Sequence, residues 1–296
     1  MKQLIRSVAL VALAFSRLRA QPQITAVVSS ASFQQALPSG GGLATLFCSG
    51  PVVSAEPGTY VPPANAPLPT NLVGIQVAIN GAYAPILAVV VTESNGAKYT
   101  QVNFQVPMER NVSLPNAGAY GGSLTACNGA SIQPLPPRPL GTFFADANGY
   151  TIAQHASDYS LVTPQNPAHP GETIIAYADD LFPVWPPPTI GLPTPAQPLF
   201  QRTIGLFDPG YLYLQFYPSP DLNGNTHPGT LPLQTTFTGM APGMIGVQQV
   251  NFVIPANQQP GTFSLFFNNG CPPGYVGTDG CARFPTSSWP VLLPVG

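Results

Sequence analysis

Charge is what this 296-residue chain has least of: Asp, Glu, Lys and Arg together make up 7% of it, against roughly 25% in an ordinary soluble domain. With 9 basic and 11 acidic residues and a pI near 5.8, it lacks the basic footprint that recognition of nucleic acid or of an acidic membrane surface requires. Histidine is almost as scarce. His155, His169 and His227 all stand among Pro, Gly and polar loop residues, none beside a second ligand at metal spacing. There is no Gly-x-Ser-x-Gly nucleophile elbow. Long apolar runs are missing as well, so no membrane span is expected once the leader is removed.

What the chain has in excess is proline and glycine, 38 and 29 residues. Each proline inside a helix costs about 3 kcal/mol, which excludes a mainly helical protein. Hydrophobic residues still reach 44%, enough to build a core.

Residues 1–20 read as a secretory signal peptide. Lys2 and Arg6 supply a positive start, Ser7 to Ser16 forms a short apolar run, and cleavage can follow Ser16 or Ala20. A membrane anchor is the rival reading, but a span needs about 20 apolar residues and this run is half that. The expected location is therefore secreted or cell-surface. Export makes the four cysteines interpretable as disulfides. Cys48, Cys127, Cys271 and Cys281 allow three pairings, of which Cys48–Cys127 with Cys271–Cys281 is the simplest. In the chain-entropy model these loops would contribute up to ~4.5 and ~2.7 kcal/mol. Their spacings lack the paired Cys-x₂₋₄-Cys of zinc sites.

The most informative feature is internal. Gln101-Val102-Asn103-Phe104-Gln105-Val106-Pro107 recurs as Gln249-Val250-Asn251-Phe252-Val253-Ile254-Pro255. Apolar and polar residues alternate in both, the period of a strand with one buried face. Upstream, Gly41-Gly42-Leu43-Ala44-Thr45-Leu46-Phe47 aligns with Gly171-Glu172-Thr173-Ile174-Ile175-Ala176-Tyr177. The first pair is offset by 148 positions and the second by 130, which leaves about 18 extra residues in the second copy. The proline-dense stretch Trp185 to Gln201 is the natural place for them. Two landmarks in the same order indicate a duplication.

Each copy reads as short strands between Gly, Pro and Asn turns, so the expected fold is all-β, two tandem immunoglobulin-like β-sandwiches. In copy one the candidate strands are Leu43–Cys48, Gly74–Ile79, Pro85–Val91, Thr100–Val106 and Gly122–Ala126, with a hairpin signal at Asn80-Gly81. In copy two they are Thr173–Ala178, Gly205–Phe207, Tyr211–Tyr217, Leu233–Thr238, Val247–Ile254 and Gly261–Phe267. Domain boundaries follow: a first sandwich over 21–133, a proline-rich linker over 134–139, and a second sandwich over 140–296 with the insertion and a C-terminal Cys loop.

A family resemblance rests on Ser30-Ala31-Ser32-Phe33, the Pro38-to-Gly42 turn, Pro67 to Val77 with Asn80-Gly81, and Gln101 to Phe104 in one half. In the other it rests on Asn166-Pro167-Ala168, Pro170-Gly171-Glu172, Ala241-Pro242-Gly243 with Gly246, and Gln248 to Phe252. Over roughly residues 24–267 the chain resembles the uncharacterised C-terminal domain family first noted in Solibacter proteins. That resemblance implies exported bacterial proteins with paired immunoglobulin-like sandwiches, and it brings no known activity or catalytic residues. Two departures stand out. Ala178-Asp179-Asp180-Leu181 replaces the family's Thr-Gly-Leu-Gly type of turn, and the Cys271–Cys281 extension is private to this chain.

Candidate chemistry is sparse. His155 with Asp158 has the makings of a base oriented by a carboxylate, though a surface turn is the plainer reading. Asp179 and Asp180 are neighbours at a strand end, where their side chains should diverge, so they read as turn or cap residues rather than a hydrolytic pair. Asp221 to Asn225 offers oxygen ligands at alternating positions, but Thr226 and Pro232 stand where a calcium loop needs Gly and an acid. Asp146-Ala147-Asn148-Gly149 is weaker still.

The most suggestive surface is the run Tyr211 to Tyr217. As a strand it puts Tyr211, Tyr213 and Tyr217 on one face, available to stack on a sugar or meet a protein unless the proline-rich insertion covers them. Ordinary cross-strand packing is the competing reading. The expected function is thus an exported, non-catalytic binding or structural module whose partner is an extracellular glycan or protein, with no cofactor and no metal. One alternative is a secreted enzyme or accessory subunit whose cleft gathers Asp179, Asp180, Glu172 and His169. The other is a self-associating envelope or matrix component that pairs through exposed edge strands. Thiol titration of denatured protein from an oxidising compartment should find no reactive cysteine; four reactive thiols would contradict the disulfide reading.

Overall fold

The computed structural model describes residues 22–50, 55–64, 66–108, 122–134, 136, 141–181, 184–202, 211–216, 233–268, 288 and 290–296; at 202, 211–216 and 268 it describes the backbone alone. These residues are all-β, with no helix among them. In the first half the strands are β1 (Gln23–Ser29), β2 (Leu43–Ser49), β3 (Gly58–Tyr60), β4 (Ala78–Ile79) and β5 (Ala82–Tyr83). They continue with β6 (Ile86–Ser94), β7 (Ala97–Gln105), β8 (Leu124–Ala126) and β9 (Ala130–Ile132). The second half has β10 (Thr142–Phe143), β11 (Ala153–His155), β12 (Thr173–Asp179), β13 (Val184–Trp185) and β14 (Gln201–Arg202). It ends with β15 (Tyr211–Phe216), β16 (Thr235–Met240), β17 (Gln248–Val253), β18 (Gly261–Asn268) and β19 (Val291–Val295).

Each half encloses its own core between two sheets. In the first, the sheet β1-β2-β7-β6-β3 contributes Ala44, Leu46, Val89, Val102 and Phe104, while β5-β4-β8-β9 contributes Ile79, Leu124 and Ala126. In the second, the sheet β10-β12-β17-β16-β14-β13, with β11 also on β12, contributes Ile174, Ala176, Val250 and Phe252. Phe263, Leu265, Phe267 and Leu293 face them from β15-β18-β19. The Cys48–Cys127 disulfide joins β2 to the turn after β8, and so staples the two sheets of the first half together. The Cys271–Cys281 pair lies outside the described residues.

The repeat read from the sequence is visible in the strand register. Ala44 pairs with Phe104 and Phe47 with Gln101; Ile174 pairs with Phe252 and Tyr177 with Gln249, the same partners under the same alignment. A bulge recurs as well. β6 slips between Ile86 and Ala88 opposite Phe104 and Asn103 of β7, and β16 between Thr235 and Phe237 opposite Phe252 and Asn251 of β17. The turn bonds match too: Gly41 N donates to the Val106 carbonyl at 2.8 Å and Gly171 N to the Ile254 carbonyl at 2.9 Å. Phe104 and Phe252 are both fully buried, because alternation sends Val and Phe inward and Gln and Asn outward.

Several elements differ from the sequence reading. The candidate strand Gly74–Ile79 shrinks to β4, since Ile75 closes a local bridge with Leu72 and only the last two residues join a sheet. That short strand pairs with β5 through Asn80 and Gly81, both left-handed (φ 49° and 84°) as a type I′ turn requires. β1 and β19 carry no clear alternation, and β19 contains Pro294, whose carbonyl accepts the Ala168 N–H where isolated bridges at Leu292 and Val295 line the side of β19 away from β18. Gly205–Phe207 and most of the 134–139 linker lie outside the described residues. Replacing Phe104 or Phe252 by Ala should lower stability by about 3–5 kcal/mol in urea unfolding. A loss below about 0.5 kcal/mol at either position would mean that ring is not core.

Candidate functional site

The densest convergence of polar groups lies where the two halves meet. Asp179 ends β12 and is 1% exposed. Both its oxygens stand 3.2 Å from the backbone N of Leu43, the first residue of β2 in the other half. Asp180 Oδ2 accepts the Ser39 N–H at 2.9 Å. The sequence suggested turn or cap residues for this pair, and they do cap backbone donors; the donors belong to the neighbouring half's turn. Gly42 makes the approach possible, because a Cβ there would sit 2.7 Å from Pro38 Cβ and 2.8 Å from Asp179 Oδ1. Asp180 itself is left-handed (φ 56°) at the position that Gly50 occupies in the first copy.

A second tie runs through Gln105, which is fully buried. Its Nε2 donates to the Gly41 carbonyl at 2.9 Å and its Oε1 accepts the Gly191 N–H at 2.7 Å. Gly191 belongs to the proline-rich insertion, and its carbonyl accepts the Leu68 N–H at 2.9 Å. The insertion therefore reaches the first half at Gly191, while Thr194 is held in the second by the Met244 carbonyl and the Gly243 N–H. Within the second half, Gln248 Oε1 accepts the Leu181 N–H at 2.7 Å just past Asp180. Between these ties is a cleft of about 320 Å³, lined among others by Met108, Asp179, Asp180, Pro187, Pro188 and Met240.

At the opposite end of β12, about 20 Å away for seven extended residues, the second half closes the equivalent turn by itself. Glu172 replaces Gly42 in the alignment, and its carboxylate accepts the His169 N–H, the counterpart of the Ser39 N–H. The same carboxylate meets His155 Nδ1 at 2.9 Å, and His155 Nε2 stands 3.3 Å from the Asn166 carbonyl. Both ring nitrogens of His155 are engaged within the second half, and the residue is buried. No hydrogen bond joins it to Asp158. The Ser160 N–H and hydroxyl hold that carboxyl below the ordinary carboxylate range, at 2.9 and 2.8 Å.

The remaining sequence candidates fall as follows. Asp146 Oδ1 accepts the N–H groups of Asn148 and Tyr150 in a compact turn. In β15 the register sets Tyr211 opposite Asn268 and Tyr213 opposite Phe266; Phe266 and Ser264 are both buried, so that side of β18 is covered. The side chains of Tyr211 and Tyr213, and all of Tyr217, lie outside the described residues, as do Asp221 to Asn225 and His227. No group of three His, Cys, Asp or Glu among the described residues is placed to hold a metal.

In the sequence, Gln105 and Gln248 appear only inside longer repeat and family motifs and Gly191 only inside the proline-dense stretch, none with a role of its own. A signal existed: the copies differ at outward positions, with Gln105 against Val253, Ser49-Gly50 against Asp179-Asp180, and Gly42 against Glu172. Comparison with protein-family models, with curated proteins and with solved structures finds no match to this chain. Replacing both Asp179 and Asp180 by Ala orphans two backbone donors at the seam, at about 1–3 kcal/mol each. Calorimetry should then resolve two melting transitions where the parent shows one. A single transition at unchanged temperature would mean that the carboxylates do not couple the halves.

Proposed function

We propose that this chain is an exported, non-catalytic binding or structural module: two tandem immunoglobulin-like sandwiches that meet an extracellular glycan or protein. The same reading makes it a relative of the uncharacterised Solibacter-type domain family, on the strength of the motifs quoted above. The observation that carries the proposal is how its few ionisable groups are used. Asp179 and Asp180 bind backbone across the seam, and Glu172 and His155 bind each other inside the second half. The enzyme alternative needs Asp179, Asp180, Glu172 and His169 in one cleft, whereas they sit at opposite ends of β12.

The Cys48–Cys127 disulfide favours an oxidising compartment. Among the described residues no helix is long and apolar enough to cross a membrane. An untargeted pull-down from the native extracellular fraction, run beside size-exclusion chromatography, tests the proposal. The expected result is a monomer that retains a discrete glycan or protein. Turnover on a panel of ester, glycoside and peptide substrates would overturn it, and concentration-dependent oligomers would support the matrix alternative instead.

A further inference from the structure

The geometry points to a neutral-glycan contact strip on the outer face of each central strand pair, at Phe47, Gln101 and Asn103 in the first half and Tyr177, Gln249 and Asn251 in the second. The inference rests on the binding-module reading and gives it a ligand class and a place. Val102 and Phe104 turn into the core, so Gln101 and Asn103 turn out; Val250 and Phe252 leave Gln249 and Asn251 in the same attitude. In both copies the glutamine props the asparagine. Gln101 Nε2 donates to Asn103 Oδ1 at 2.9 Å, and Gln249 Nε2 donates to Asn251 Oδ1 at 2.8 Å. The bond orients both amides and leaves the glutamine Oε1 and the asparagine Nδ2 without a protein partner among the described residues. A fixed acceptor beside a fixed donor is the complement of two neighbouring sugar hydroxyls.

An aromatic ring stands directly across from the glutamine each time. Phe47 pairs with Gln101 and Tyr177 with Gln249. Both rings are half-buried, and Tyr177 is held by its hydroxyl donating to Gln154 Oε1 at 2.8 Å. Burial raises the Tyr177 phenol above its ordinary range, so it remains a neutral donor. In the first half the strip opens into a shallow trough of about 290 Å³ that also takes in Thr25, Thr92 and the exposed Tyr99; none of its lining residues is charged. A flat apolar ring beside fixed amides suits the alternating C–H and O–H faces of a pyranose. The lack of charge selects against uronic or sulfated polymers.

Sheet packing demands the inward Val and Phe but not these outward residues, where many side chains serve equally. Their recurrence as aromatic, Gln and Asn in both halves therefore asks for a second cause. The far end of the same β7 column shows the alternative use of such a position: Gln105 there is consumed by the seam, and the second half carries Val253.

The test uses the whole exported chain in affinity electrophoresis through gels containing β-1,3-glucan, β-1,4-glucan, xylan or mannan, with heparin and alginate as anionic controls. At least one neutral polysaccharide should retard the parent. The Gln101→Ala, Gln249→Ala double variant should melt at the parent temperature yet lose tenfold or more in apparent affinity. Failure of every neutral polysaccharide to retard the chain, equal retardation by the anionic controls, or undiminished retardation of the variant would each overturn the strip. In the last case, or where a pull-down still captures an extracellular partner, the binding-module reading stands without it. Should the pull-down also come back empty, both fall.

Discussion

Two carboxylates reaching across a seam hold this molecule in its arrangement. Asp179 and Asp180 leave the end of one β-strand and accept backbone N–H groups from a glycine turn in the other half of the chain. A buried carboxylate is costly unless charge-assisted bonds replace its lost water. Asp179 is almost wholly buried, so the two halves are tied by the need to keep those bonds made. The left-handed backbone at Asp180 and the bare Cα of Gly42 are what the approach requires of the local chain.

The seam also runs one way. It joins the entry turn of the first half to the strand exit of the second, a head-to-tail contact of the kind that would propagate if both ends were alike. They are not alike. At the second half's entry turn, Glu172 occupies the aligned place of Gly42 and caps His169 from within. At the first half's strand exit, Ser49 and Gly50 stand where the acceptor carboxylates would be needed. The Ser39 N–H is satisfied from the other half, and its counterpart, the His169 N–H, from within its own half. That asymmetry weighs against a matrix built by repeating the seam, although edge pairing between strands is a separate route.

The scarcity of charge takes on meaning in this setting. The charged groups described at the seam and at the His155–Glu172 pair are spent on internal order. What is left to face solvent on the central strand pairs is uncharged: amides, hydroxyls and aromatic rings. The chemistry of such a surface is hydrogen bonding and stacking, the ground on which the neutral-glycan strip is proposed.

Much of this architecture was legible in the chain. Alternation of Val and Phe with Gln and Asn is a local property, so the paired strands, their buried faces and the shared register could be read from two short strings. Asn80-Gly81 announced its turn, because only left-handed residues fit there. Short or weakly patterned strands such as β1 and β19 escaped, since they are strands only by virtue of the neighbour they pair with.

The sequence alone determined the paired landmarks of the duplication and the all-β character, because spacing and period are carried by the chain itself; among the three cysteine pairings it left open, the structure selects Cys48–Cys127. Only the tertiary structure decided that Asp179, Asp180 and Gln105 act between the halves and that Glu172 belongs with His155. Those partners lie 136, 141, 86 and 17 positions apart. No local pattern encodes a hydrogen bond whose donor arrives from the other side of a fold.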